Sequence, residues 1–164
     1  MRLADQDRSR WDQTLIGEGH AIVRACLRRN RPGPYQLQAA IAAVHTDAPV
    51  ASDTDWRQVV ALYDQLLAIQ PTAVVALNRA VAVAEVDGPE AGLALVDGLA
   101  LGEWHRAHAV RADLLRRGGR RDEAAAEYRQ AIELATSDPE RSYLAERLRE
   151  IVARSPGGLS PGGG

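Results

Sequence analysis

The 164-residue sequence has no phenylalanine, one methionine and one cysteine. With Cys26 alone, no disulfide forms within the chain. Cys26 shares an apolar helical face with Ile22, Val23 and Leu27, where a small buried hydrophobe is expected. No apolar run reaches the roughly 18 residues of a membrane span. The opening MRLADQDRSR also lacks the apolar core of a secretory signal. A cytoplasmic protein with no membrane partner is therefore expected. Charge of one sign is missing as well: 20 Lys+Arg against 22 Asp+Glu leave a net charge of -2. Nucleic-acid-binding domains are usually strongly basic, so no direct DNA binding is expected, and a polybasic membrane patch is excluded.

What remains is rich in alanine, leucine and arginine. Alanine has the best helix propensity, and its small side chain lets helices approach closely. A chain of this length buries about 70% of its unfolded surface and needs no covalent staple. The apolar spacing predicts helices throughout. A first, capped by Asp7 or Ser9, runs to about residue 29 and stops at NRPGP, because proline and the residue before it leave the helical region. Further helices are predicted at about 34–46, 55–69 (capped by Thr54 or Asp53), 73–86 (capped by Thr72), 89–99, 103–117, 121–135 and 139–153. No convincing strand is found. The expected organisation is one all-α domain over 1–153, followed by a disordered Gly/Pro/Ser tail over 154–164, whose composition has almost nothing to bury.

Helices in pairs suggest a repeat. Val59, Ala91 and Ala124 occupy equivalent places, Tyr63, Leu95 and Tyr128 follow by four, and Leu66, Gly98 and Ala131 by three more. Small residues at these positions mark helix crossings, and the larger ones are expected to be buried between hairpins. The clearest copy, GGRRDEAAAEYRQAIELA, resembles the second helix of a tetratricopeptide repeat. Arg111 falls where that repeat usually carries leucine.

Longer phrases carry a more particular resemblance: DQDRSRWD (5–12), GPYQLQAAIAAVH (33–45), DWRQVVALYD (55–64), VVALNRAVAVAEVDGPEAGLALVDGL (74–99) and HAVRADLLRRGGRRDEAAAEYRQAIELA (108–135). Together they resemble the tetratricopeptide-like C-terminal extension of a group of extracytoplasmic-function sigma factors, over about residues 5–151. The resemblance implies an extension without the sigma regions that bind RNA polymerase and promoter DNA. It also implies regulation of transcription initiation in cis, with those sigma regions and the polymerase as partners. The alternative is a free-standing helical-repeat adaptor unrelated to transcription.

Candidate chemistry is sparse. His105 and His108, three apart on one helix, could both reach a metal, with Glu103 and Asp113 the nearest carboxylates in sequence. Ordinary surface or interface histidines are the simpler reading. No enzyme activity and no cofactor are expected. Asn78 and Arg79 interrupt the apolar ALNRAVA helix, where an unsatisfied polar group costs roughly 1–3 kcal/mol. They either tie adjacent hairpins together or face a bound peptide. Arg111 and Asp113 stand similarly on the first helix of the next hairpin. These four residues are the candidate protein-binding positions. Arg10 and Trp11 are expected to anchor against the second helix or against the missing sigma part.

Overall fold

The computed structural model describes residues 12, 14–19, 21, 33–48, 50–99, 102 and 104–153. Among them all regular structure is helical. Seven α-helices follow Gly33: α1 (Pro34–Asp47), α2 (Trp56–Ile69), α3 (Ala73–Asp87), α4 (Pro89–Asp97), α5 (His105–Arg117), α6 (Arg121–Leu134) and α7 (Asp138–Ala153), with a 3-10 turn at Ala51–Asp53. Residues 14–19 are also helical, and Asp12 Oδ1 accepts from the amides of Thr14 (3.0 Å) and Leu15 (3.1 Å). Most of the expected first helix lies outside the described residues, with Asp7, Ser9, Arg10, Trp11 and Cys26; so does 154–164. The chain groups into two compact units, Met1–Val86 and Asp87–Gly164.

In the first unit, Pro34 starts α1 because its fixed φ suits the first helical turn. Leu37, Ala40, Ile41 and Val44 form its buried stripe. That stripe packs with Val59, Leu62 and Leu66 of α2 and Val75 and Ala82 of α3, with Trp56, Val60, Tyr63 and Leu67 around the edge. Leu37 and Val59 are fully buried; each such side chain contributes about 1.5–3 kcal/mol relative to exposure. His45 meets Trp56 edge-on at 5.1 Å.

The start of α2 corrects the sequence reading. Asp55, rather than Thr54 or Asp53, is the cap: its carboxylate accepts from the Gln58 amide at 3.0 Å. Thr54 is buried, and Asp53 closes the 3-10 turn. The expected cap on α3 is present, with Thr72 Oγ1 accepting from the Val75 amide at 3.3 Å.

In the second unit α4 is entered from Gly88, whose φ of 93° is one that only glycine adopts readily. Helix α4 packs on α5, α5 on α6 and α6 on α7. The α5–α6 hairpin carries small, fully buried residues on both helices, Ala107 and Ala112 on α5 and Ala124 and Ala131 on α6. Gly119, at φ 80°, makes the left-handed step between them, and the Arg120 amide reaches back to the Leu115 carbonyl at 2.9 Å. This is a glycine-terminated helix end that satisfies the last carbonyls.

The repeat reading holds in two copies and shifts in the third. Val59, Leu66, Ala124, Tyr128 and Ala131 are buried as expected, and Tyr63 is half-buried. In α4, however, Leu95 is 37% exposed and Gly98 is exposed, whereas Gly92, Leu93 and Val96 are buried. The middle copy therefore runs one residue later, with Gly92 at the small position and Val96 at the place of Tyr63 and Tyr128. The physical reason is the run AGLALV. It is apolar at almost every position, so it fits either register until packing selects one.

Candidate functional site

The four candidate residues fall on two helices, one in each unit. On α3, Asn78 is exposed and Arg79 is half-buried. Arg79 Nε donates to Asp64 Oδ1 of α2 at 2.5 Å, so this side chain ties the two helices of a hairpin. Its carboxylate partner is half exposed, and such pairs contribute at most about 1 kcal/mol. Exposure leaves Asn78 at the surface of a helix whose Val75, Leu77, Ala80, Ala82 and Ala84 are all buried.

On α5, Arg111 is held from both sides. Its Nε donates to Asp97 Oδ1 at the end of α4 at 2.7 Å, and its Nη1 donates to Glu127 Oε1 of α6. The hydrogen bond to Asp97 and the nearby Glu127 charge raise its affinity for the proton beyond that of an ordinary guanidinium, against the opposing effect of burial. A planar guanidinium suits this role because it donates to two carboxylates along separate edges. Thus the arginine standing in place of leucine is packed by charge. Asp113 accepts from Arg116 at 2.7 Å within the same helix.

The histidines find carboxylates other than those near them in sequence. His105 Nε2 lies 3.1 Å from Glu140 Oε1 of α7. His108 Nδ1 lies 2.8 Å from Glu127 Oε2, and its Nε2 lies 3.2 Å from the Gly102 carbonyl. The described residues hold no group of three or more His, Cys, Asp or Glu placed to bind a metal ion. They include no helix long and apolar enough to cross a membrane. A shallow open cleft of about 310 Å³ in the first unit is lined by Thr54, Asp55, Trp56, Arg57, Glu85 and Val86.

Sequence reasoning placed the basic members of these networks but missed Asp64, Asp97, Glu127 and Glu140. Only ion pairs three or four residues apart on one helix announce themselves in a sequence; Asp113–Arg116 is of that kind. The missed carboxylates stand between 14 and 35 residues from their partners, and no local signal marks them.

No family model matches the chain, and no solved structure matches it. The chain is 44% identical over 153 residues to an uncharacterized protein of Rhizobium meliloti (strain 1021). The match takes in 92% of this chain and 36% of that protein, so the chain spans about a third of the length of the relative it matches.

Proposed function

We propose that the chain is a protein-binding helical module that regulates an extracytoplasmic-function sigma factor from within the same polypeptide. The observation that carries this reading is the relation to the Rhizobium protein, in which a sequence 44% identical to nearly all of this chain makes up 36% of a longer protein. A module embedded in a larger polypeptide is what regulation in cis requires. The resemblance of the phrases at 5–12, 33–45, 55–64, 74–99 and 108–135 to sigma-factor extensions supplies the partners: the sigma regions and RNA polymerase. At a net charge of -2 the module itself leaves promoter DNA to those regions.

Geometry ranks the four candidate residues. Arg79 and Arg111 act first as ties between helices, while exposed Asn78 is the position best placed to meet a partner. The test is a pull-down of this chain with core RNA polymerase and with the remainder of the Rhizobium relative expressed separately. Capture of either, weakened by Asn78→Ala without loss of helical content, is the expected result. Capture of neither removes the sigma-factor reading and favours the free-standing adaptor. If Arg111→Ala abolishes capture only by melting the protein, Arg111 belongs to the scaffold.

A further inference from the structure

The open cleft in the first unit gathers groups that the helical packing leaves unused. Thr54 lines it and is only 7% exposed. Its carbonyl accepts from the Trp56 amide at 2.9 Å, but among the described residues its hydroxyl has no hydrogen-bond partner. A shielded hydroxyl left unpaired is costly and calls for an explanation. Trp56 and Arg57 line the same cleft, in the first turn of α2. Among the described residues, the Trp56 indole N–H and the Arg57 guanidinium likewise donate to nothing. The first amides of a helix also lack intrahelical acceptors. Here the Gln58 amide is taken by Asp55 and the Trp56 amide by Thr54, and that of Arg57 is left over. The unused groups can all donate, and they sit at the positive end of a helix.

The carboxylates nearby decide which acceptor suits them. Asp55 is committed to the cap of α2, and Glu85 lines the cleft from α3. Their two negative charges disfavour a phosphate dianion. A single carboxylate is matched by Arg57, which can hold it with two parallel N–H groups. The cleft is too open to enclose a whole small molecule as ligand pockets do, so a side chain of another protein is the fitting source. We infer that this cleft binds an aspartate or glutamate side chain of a protein partner, with Arg57 pairing its charge and the Thr54 hydroxyl and Trp56 N–H donating to its oxygens. Exposed Asn78 precedes Glu85 by seven residues on α3, two turns or about 10 Å along one side of the helix, so one extended segment reaches both. The inference rests on the reading of the chain as a protein-binding module, and not on a sigma factor as the partner.

The test titrates the chain with glutamate capped at both ends (N-acetyl, α-amide), and with capped glutamine and inorganic phosphate as controls. The NMR signals of the Trp56 indole N–H and the Arg57 amide are followed. Capped glutamate at millimolar concentration is expected to shift both. Thr54→Val should weaken the response, and Arg57→Gln should weaken it about tenfold, the loss of one charge-assisted contact. No shift with capped glutamate, or an equal shift with capped glutamine or phosphate, overturns the proposal. Thr54→Val has a second readout. Removing a hydroxyl that has no internal partner leaves the unfolding midpoint unchanged or higher, whereas a clearly lower midpoint overturns the role given to Thr54. The pull-down separates this inference from the reading beneath it. Equal capture by the parent chain and Arg57→Gln overturns the cleft and leaves the protein-binding reading standing; a response to capped glutamate without any capture supports the cleft and counts against that reading.

Discussion

Replacing Ala124 with leucine adds three carbons to a side chain that has no exposed surface and lies in the α5–α6 hairpin. The helix packed against it carries fully buried small residues of its own, Ala107 and Ala112, and alanine has no rotamer to change. The backbones must separate instead. Overpacking of this kind costs about 1–3 kcal/mol. In a cooperative unit of 60–100 residues each kcal/mol lowers the melting temperature by about 4–8 °C, so Ala124→Leu is expected to lower it by roughly 4–24 °C in a thermal scan followed by circular dichroism. Ala126, two residues on and exposed, is the control, because leucine there meets solvent and has comparable helix propensity. The midpoint of Ala126→Leu should stay close to that of the parent. Equal shifts for the two variants, or no shift for Ala124→Leu, would refute the claim that backbone approach at this crossing sets the size of the side chain.

Asp55→Ala should cost about 0.5–2 kcal/mol through loss of the α2 cap, measured by chemical unfolding, while Asp53→Ala should leave the unfolding midpoint nearly unchanged. Tyr63 responds to alkali: burial raises its phenol above the ordinary value of 10.0. A raised folded value means that its contribution is intact below pH 10.0 and is lost as pH climbs through the folded value. Phenolate absorbance should therefore lose a late-ionising component in Tyr63→Phe, and that variant should flatten part of the alkaline loss of stability. Arg79→Ala, which breaks a partly exposed pair, should change stability by at most about 1 kcal/mol by denaturant titration, leaving it usable in binding assays.

Helix positions were legible because proline, glycine and apolar spacing agree along most of the chain. Pro34, Thr72, Pro89 and Gly118–Gly119 each mark an observed boundary, and the bounds from 34 onward fall within two residues of expectation. The register of α4 was not legible. Periodicity needs polar residues to mark the outer face, and AGLALV has none. The cap of α2 was misplaced because SDTD offers four capping side chains in a row, and only folding decides that Thr54 turns inward. At the candidate site the arginines stood out as polar breaks in apolar helices, but their role did not. Whether Arg79 or Arg111 faces a partner or a neighbouring helix depends on carboxylates supplied by other helices.

Arg111 constrains how this sequence can change. A return to leucine, the residue usual at that place in the repeat, would leave Asp97 and Glu127 near each other with no cation between them. Breaking a shielded pair from one side is far more damaging than replacing all its members, and such substitutions do not add independently. The three positions, dispersed over 31 residues of chain, are therefore expected to tolerate replacement together better than singly. Exchanging all three for apolar residues should cost less stability than replacing Arg111 alone.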